Sequence, residues 1–300
     1  MTVKKLNSDK LIIKPEDTVT VTTMGSIIEI CYLSNRNDST PIVKLSKDTY
    51  YDTNSGKVKE FQHSAENRKD TPAALRHTFR RIRQLILTNV IDKKCVRWCT
   101  LTYADNMRDP HQLYEDFRRF NQRFQYYCKK NGYDKAEYIA IAEPQLRGAW
   151  HLHVLYIWPQ KAPYIDNNIF EGIWEHGFTS IKALKSNSNN IAGYLMAYLS
   201  DMKLPDENVN FCPDEHLKII TVDGKKKAIV KGARLHMYPK GFNILRTSRG
   251  IRQPRRENMT YRDALEQVSD KNLQYRSTVL MTKEQNGRNF QTIIDKQEYR

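Results

Sequence analysis

Apolar and polar residues alternate with changing periods between residues 96 and 202, and these periods predict the secondary structure. Four apolar, β-branched runs predict strands, at 96–103, 137–143, 149–158 and 178–183. Apolar residues at helical spacing predict three helices, from Asp109 to near Gly132, from Asp166 to Glu175 and from Asn190 to about Met202. Gly177 is placed to end the second of these helices. The predicted order is therefore β-α-β-β-α-β, followed by one more helix.

This order is typical of the ferredoxin-like or RRM-like split βαβ fold, an antiparallel sheet with two helices on one face. We therefore predict an α+β fold whose other sheet face is open for chemistry. Because side chains alternate along a strand, Leu152 and Val154 should pack under the helices. His151 and His153 should then project from the uncovered face, and the final, tyrosine-bearing helix can lie across it.

Two extensions flank this core, which gives a predicted division into residues 1–90, 91–204 and 205–300. The first extension contains short β-like runs and a basic helix that begins after Thr71, with Pro72 in its first turn. The arginines of this helix could contact DNA or simply form a solvated face. The last forty residues are polar and mixed in charge, which predicts a helix or a partly ordered tail.

The charge of the chain points to a polyanionic partner. Its 300 residues have a formal net charge of +15, which favours nucleic acid or an anionic membrane. A membrane is disfavoured, because no run of about eighteen apolar residues occurs and the N-terminus lacks a signal-peptide core. Five cysteines without a Cys-x-x-Cys pair predict free thiols in a reducing, cytoplasmic setting. No phosphate-binding Gly-x4-Gly-Lys-Ser/Thr motif occurs, so strand unwinding is left to another protein.

The segment 225–256 contains eleven lysines and arginines and no acidic residue, with Tyr238 and Phe242 interspersed. It is either an ordinary basic surface loop or a segment that contacts phosphates, and its one-sided charge favours the second interpretation. The candidate DNA contacts are basic residues in this segment and near the predicted site: Arg147, Lys203, Lys231, Arg234, Lys240, Arg246 and Arg249.

Two histidines and one glutamate form a candidate metal site. His151 and His153 share one strand face, and Glu143 ends the preceding strand, across the short turn 144–148. A His-x-His pair alone is weak evidence, but a carboxylate on the partner strand brings a third ligand within reach. Two neutral imidazoles and one carboxylate, with open coordination positions, suit a catalytic divalent ion.

Tyr194 and Tyr198 are four residues apart and so share one face of the predicted helix. They could belong to an amphipathic packing stripe, or they could be nucleophiles beside a metal site. Ionising a phenol at pH 7 costs roughly 4 kcal/mol, much of which a nearby divalent cation can offset. Attack on a DNA phosphate would leave a 5′-phosphotyrosine, which keeps the bond energy for rejoining, and a free 3′-hydroxyl, which can prime a polymerase.

Three motifs, in this order, resemble those of the HUH endonucleases, specifically the rolling-circle replication initiators (Rep proteins) of bacterial plasmids and single-stranded DNA phages. They are Trp98-Cys-Thr-Leu-Thr-Tyr103, His151-Leu-His153 with Glu143 eight residues upstream, and Gly193-Tyr-Leu-Met-Ala-Tyr198. The resemblance covers about residues 96–203. It implies a Mg²⁺ or Mn²⁺ cofactor, nicking of single-stranded or hairpin origin DNA, and a host helicase and DNA polymerase as partners.

The resemblance also implies separate roles for the two tyrosines. In single-tyrosine relatives the nucleophile matches the second position, so Tyr198 is expected to initiate and Tyr194 to terminate. Many relatives have lysine just before the second tyrosine and again three residues after it, whereas this chain has Ala197 and Asp201. In such relatives a lysine acts near the scissile phosphate, and in this chain that role falls to Lys203 or to a residue elsewhere.

Other functions share parts of this pattern. A mobilisation relaxase or a single-strand transposase uses the same chemistry, although paired tyrosines and this chain length favour replication. A non-catalytic nucleic-acid-binding module on the same RRM-like sheet needs aromatic residues on the open face, where the third strand has histidines instead. A metal-dependent hydrolase would need no tyrosine.

Overall fold

The computed structural model describes the chain in these ranges: residues 2–36, 42–46, 48–61, 72–145, 147–184, 202–203, 217–222, 225–230, 237–239, 241–285 and 288–300. For residues 72–76, 202–230 and 283–289 within these ranges, only the backbone is described.

The strands of the described residues are, in chain order, β1 (Thr2–Leu6), β2 (Thr18–Met24), β3 (Ile27–Leu33), β4 (Ile42–Lys44), β5 (Thr49–Asp52), β6 (Lys57–Glu60), β7 (Val96–Thr102), β8 (Glu137–Pro144), β9 (Trp150–Ile157), β10 (Thr179–Ala183), β11 (Met202–Lys203), β12 (Leu217–Val222), β13 (Lys225–Val230), β14 (Leu245–Thr247), β15 (Arg255–Thr260), β16 (Leu273–Gln285) and β17 (Arg288–Tyr299). The α-helices are α1 (Pro72–Asn89), α2 (Pro110–Lys130), α3 (Asn167–Trp174) and α4 (Tyr261–Glu266).

The chain packs into two compact units. The terminal unit combines residues 1–64 with residues 254–300, and the central unit comprises residues 65–253. The three-part functional division of the chain stays a prediction.

The central unit is built on a five-stranded antiparallel sheet with the strand order β10-β7-β9-β8-β14. Along the chain, its main elements follow the order β7-α2-β8-β9-α3-β10, as the hydrophobic pattern predicts. The predicted α+β class with antiparallel sheets is therefore confirmed. A second sheet in this unit has the order β11-β13-β12.

Capping residues explain where α2 and α3 begin. The Asp109 side chain accepts a hydrogen bond from the first turn of α2, and Pro110 occupies that turn. Asp166 caps α3 in the same way. The predicted role of Gly177 in ending α3 is wrong, because Glu175 already takes the left-handed conformation, at φ 66°, that closes this helix.

The predicted helix that begins at Asn190 and carries both tyrosines lies outside the described residues. Its predicted extension to Met202 is wrong. Met202 and Lys203 are extended as β11 and pair with β13 instead.

Helices α2 and α3 cover one face of the central sheet. Phe120 of α2 packs edge-to-face against Phe170 and Trp174 of α3, with ring centroids 5.3 and 5.5 Å apart. Leu152 and Val154 are buried in the same cluster, as predicted. Burying a side chain of this size contributes roughly 1.5–3 kcal/mol, so this cluster is the main source of stability of the unit.

The opposite face of the central sheet is only partly open. Ile139, Ile141 and Leu155 alternate with the residues that face α2, yet they too are buried. The same buried cluster includes a stripe of α1 that contains Ile82 and Ile86. The prediction of a wholly open face is therefore wrong, because part of this face carries apolar side chains that are themselves covered.

Helix α1 has the predicted amphipathic pattern. Ile82 and Ile86 are buried and Phe79 packs against the cluster, whereas Arg80 and Arg81 are exposed. Exposure agrees with a solvated face as well as with DNA contact, so both interpretations of these arginines stand. Among the described residues, no helix combines the length and the apolar character needed to cross a membrane.

The terminal unit contains a six-stranded antiparallel sheet in the order β1-β16-β17-β3-β2-β15, and a smaller sheet in the order β4-β5-β6. Ala264 of α4 is buried in a cluster with Val21 and Ile30 of the larger sheet. For the last forty residues, the prediction of a helix or a partly ordered tail is correct only for α4 at their start, because β16 and β17 occupy most of the rest. Asn286-Gly287, a pair typical of two-residue hairpin turns, separates these two strands in the sequence.

Gly177 lies where two backbone segments approach closely. Its φ is +142°, and a Cβ at this position would lie 2.4 Å from the Ala104 nitrogen and 2.7 Å from the Thr102 oxygen. We expect Gly177→Ala to lower the free energy of unfolding by about 3 kcal/mol or more, because both the conformation and the overlap are unfavourable for alanine. Urea unfolding followed by circular dichroism measures this change.

The matched control is Gly172→Ala within α3, where a Cβ would meet no atom within 4 Å. Replacing a helical glycine by alanine should raise the free energy of unfolding by about 0.5–1 kcal/mol, so the two variants should differ in sign. Wild-type stability of the Gly177→Ala variant would contradict the expected backbone overlap.

Candidate active site

Glu143, His151 and His153 lie side by side on one face of the central sheet. Glu143 on β8 is directly opposite His151 on β9, and His153 follows on the same face of β9. On the other side of β9, Thr102 and Thr100 of β7 are opposite the two histidines. The structure therefore brings together the three side chains that the sequence analysis assigns to one site.

The His153 ring is buried between a carboxylate and a hydroxyl group. Its Nε2 makes a short hydrogen bond with Glu143 Oε2, and its Nδ1 lies 3.4 Å from Thr100 Oγ1. Burial lowers the pKa of His153 to about 4, so the ring is neutral at pH 7. A neutral ring that donates from Nε2 to Glu143 and accepts at Nδ1 from Thr100 satisfies both contacts.

His151 is half-buried, and one of its ring nitrogens has no hydrogen-bond partner among the described residues. Burial, then repulsion from His153 when it is protonated and from Arg147, lower the pKa of His151 to about 4, so this ring is also neutral at pH 7. Its Nε2 is buried, and none of the described residues forms a hydrogen bond with it. Leaving a buried polar atom unpaired costs about 1–3 kcal/mol, so this nitrogen is the atom of the site that most needs a ligand.

These side chains fit a divalent metal ion by their chemistry. Two neutral imidazoles and a carboxylate are common ligands of catalytic divalent ions, and the buried Nε2 of His151 is available for coordination. Within the described part of the chain, no three His, Cys, Asp or Glu side chains are already arranged as a metal site. Glu143 instead contacts His153, so an ion held by all three residues would replace that contact.

The segment that carries this site resembles a family of known proteins. Residues 96–203 match the family model of the replication-associated protein ORF2. The match spans about a third of the chain, from β7 to β11, and supports a replication initiator family and a role in replication initiation. No curated protein matches the chain. Residues 96–203 are called the ORF2-like segment below.

The ORF2-like segment also contains both predicted nucleophiles, Tyr194 and Tyr198, which lie outside the described residues. For Lys203 only the backbone, in β11, is described. The predicted DNA contacts Lys231, Arg234 and Lys240, which follow the segment, also lie outside the described residues.

Three predicted DNA-contacting arginines are described. Arg147 donates a 2.7 Å hydrogen bond to the backbone oxygen of Tyr103, so it holds the β8–β9 turn against the end of β7. The Arg246 guanidinium lies 3.4 Å from the centre of the Tyr114 ring, and Arg249 is exposed. DNA contact by these arginines stays a prediction.

The basic segment 225–256 is not an ordinary surface loop. Its described parts include β13, β14 and the start of β15. Tyr238 is buried and donates a 3.2 Å hydrogen bond to the backbone oxygen of Ala142, and Phe242 stacks on Trp150 with ring centroids 4.5 Å apart. These two aromatic side chains therefore stabilise the core of the central unit.

The side chains that surround the histidines were not predicted from the sequence. Thr100 and Thr102 are opposite them, and Trp98 lies on the same strand face with its ring centroid 5.8 Å from that of His153. A signal was present, because alternate residues of the first motif share one strand face. Without the register between β7 and β9, that face could not be matched to His151 and His153.

Proposed function

We propose that the protein nicks one DNA strand at a specific site and rejoins it through a 5′-phosphotyrosine intermediate, to initiate and terminate rolling-circle replication. The observation that carries this proposal is a pair of neutral imidazoles beside Glu143, on one sheet face of the ORF2-like segment. Metal-dependent cleavage of a phosphodiester needs ligands of this kind. The net charge of +15 favours a DNA partner.

The proposed scaffold is a ferredoxin-like split βαβ unit. The strand order β10-β7-β9-β8 supports this scaffold. Its outer strands, β10 and β8, are the fourth and the second strands of the β-α-β-β-α-β unit in chain order. This order places β9, with both histidines, between β7 and β8. The strand that carries the ligands is thus supported on both sides by hydrogen-bonded neighbours.

The proposed chemistry begins with Tyr198. Its phenolate oxygen attacks the phosphorus and forms a new P–O bond, while the bond from phosphorus to the 3′ oxygen breaks. The phenol loses its proton to solvent before the attack, and the 3′ oxygen takes up a proton from solvent and becomes a free 3′-hydroxyl. The phosphodiester energy is kept in the phosphotyrosine, so rejoining needs no ATP, and Tyr194 would accept the strand that is transferred at termination.

His151, His153 and Glu143 would hold a Mg²⁺ or Mn²⁺ ion, which supplies positive charge that lowers the cost of ionising the phenol and polarises the phosphate oxygens. Both imidazoles are neutral at pH 7, as metal ligands must be. The Thr100 hydroxyl fixes the orientation of the His153 ring through Nδ1. A host helicase would separate the strands, and a host DNA polymerase would extend the 3′-hydroxyl.

A covalent-adduct assay tests this function. The purified protein is incubated with Mn²⁺ and with single-stranded oligonucleotides that tile the DNA around its own coding sequence, and the products are separated on a denaturing protein gel. We expect one oligonucleotide to become covalently attached to the protein, and the attachment to disappear when EDTA is added first. The released fragment should end in a 3′-hydroxyl that a polymerase extends.

Two other outcomes would contradict the proposal in different ways. Metal-dependent cleavage without an adduct would indicate a hydrolase. Binding of the oligonucleotides without any cleavage would indicate a non-catalytic nucleic-acid-binding module.

A further inference from the structure

A large apolar side chain is exposed beside the candidate active site. Phe178 lies immediately before β10, and 67% of its surface is exposed. An exposed aromatic ring beside the proposed site of DNA cleavage is a suitable platform for a nucleobase, because every base has a π-face that can stack.

The backbone around Phe178 is held firmly in place. Its carbonyl oxygen accepts a 2.9 Å hydrogen bond from the Thr102 N–H, and the His176 oxygen accepts a 2.9 Å bond from the Ala104 N–H. Gly177, between these two bonds, approaches the backbone of β7 too closely for any Cβ. The ring of Phe178 is thus exposed on a backbone that has little freedom to move, which lowers the entropic cost of binding.

The register places Phe178 in the same row as the candidate metal ligands. The hydrogen bond to Thr102 continues the β10–β7 register, so Phe178 is opposite Thr102. Thr102 is in turn opposite His151, and His151 is opposite Glu143. Because directly opposite residues share a sheet face, Phe178 lies on the face that carries the two histidines.

Two further side chains extend this face along β7 and β10. Trp98 lies four positions before Thr102 on β7, and the exposed Lys182 is opposite Trp98 on β10. Phe178 and Trp98 therefore lie on either side of the row that contains His153. Aromatic rings that stack on bases, with a cation for the phosphates, are what single-stranded DNA requires, whereas a duplex hides the faces of its bases.

We propose that Phe178 stacks on an unpaired base of single-stranded DNA next to the phosphate that is cut. The assignment rests on the proposed function, because it takes single-stranded DNA as the substrate. It makes Phe178 a substrate-binding residue and places the path of the strand along β7 and β10.

Binding to oligothymidine without metal tests this assignment separately from cleavage. Fluorescence anisotropy in EDTA measures the affinity of a labelled twenty-nucleotide oligothymidine for the wild type and three variants: Phe178→Ala, Phe178→Trp and Tyr126→Ala. Tyr126, on α2, is the matched control because it is an aromatic residue with a similar exposure of 68% on a helix that covers the other sheet face. We expect Phe178→Ala to weaken binding roughly 5- to 100-fold, and the other two variants to bind like the wild type.

A second probe separates stacking from other effects. An abasic strand of the same length keeps the phosphates but has no bases, so the wild type should bind it more weakly than oligothymidine. The abasic penalty is the dissociation constant for the abasic strand divided by that for oligothymidine. If Phe178→Ala weakens the binding of oligothymidine by a given factor, the abasic penalty of this variant should be smaller than that of the wild type by the same factor.

Equal binding of oligothymidine by the wild type and Phe178→Ala would overturn the assignment, as would an unchanged abasic penalty in the variant. A loss of affinity in Phe178→Trp as large as in Phe178→Ala, or no binding by the wild type, would overturn it too. Phe178-dependent binding by a protein that forms no covalent adduct would contradict the proposed function and leave the stacking assignment intact.

Discussion

Replacing His151 or His153 by alanine should slow strand cleavage about 1,000-fold or more and leave the affinity for single-stranded DNA nearly unchanged. A bound divalent ion stabilises the transition state by several kcal/mol, and each 1.36 kcal/mol corresponds to a factor of ten in rate. Binding depends mainly on phosphate contacts and base stacking, which these variants keep. Cleavage rates and anisotropy, measured on the same oligonucleotide, check both parts of the prediction.

The matched control is His111→Ala, which removes an exposed imidazole from the first turn of α2. This variant should cleave at the wild-type rate. His153 is buried, so its replacement can also lower stability, and thermal unfolding of each variant separates that effect from lost catalysis. Wild-type cleavage by the His151→Ala, His153→Ala double variant would refute the metal site.

Replacing both Tyr194 and Tyr198 by phenylalanine should remove the covalent adduct and lower cleavage at least about 10,000-fold, because no nucleophile remains. Of the single variants, Tyr198→Phe should lose the first nick. Tyr194→Phe should nick normally and fail only when a second strand must be accepted. A denaturing gel with one labelled strand, and then with a second acceptor strand, measures the two steps.

Tyr164→Phe is the control for the tyrosine variants, because Tyr164 is 79% exposed and lies in the same segment. It should form the adduct as the wild type does. An adduct of normal yield in the double variant would show that another residue is the nucleophile, and mapping the linked peptide by mass spectrometry would identify it.

Local signals made much of the central sheet predictable. Asp109-Pro110 marks the start of α2, and the apolar runs of β7, β8 and β9 lie within a few residues of their predicted bounds. The hairpin between β8 and β9 has a short turn, so Glu143 and His151 could be placed on neighbouring strands in advance. Their direct pairing in the register agrees with that expectation.

The parts that the sequence could not predict depend on contacts between distant residues. β14 has only three residues, and it extends the sheet beside β8 because Leu245 pairs with Ile141, more than a hundred residues earlier. The hydrogen bond between Glu143 and His153 likewise depends on side-chain orientation rather than on spacing. The strands β16 and β17 are a different case, because Asn286-Gly287 between them was a usable local signal for a hairpin.

The terminal unit is assembled from both ends of the chain, since β1, β2 and β3 pair with β16, β15 and β17. A ribosome releases β1–β3 before their partners, with the whole of residues 65–253 between them. Domains generally fold as units during synthesis, so the sheet that carries His151 can form before the partners of β1–β3 have been made. A premature stop codon just after residue 253 would therefore leave β1–β3 without these partners, yet spare every residue assigned to metal and phosphate chemistry.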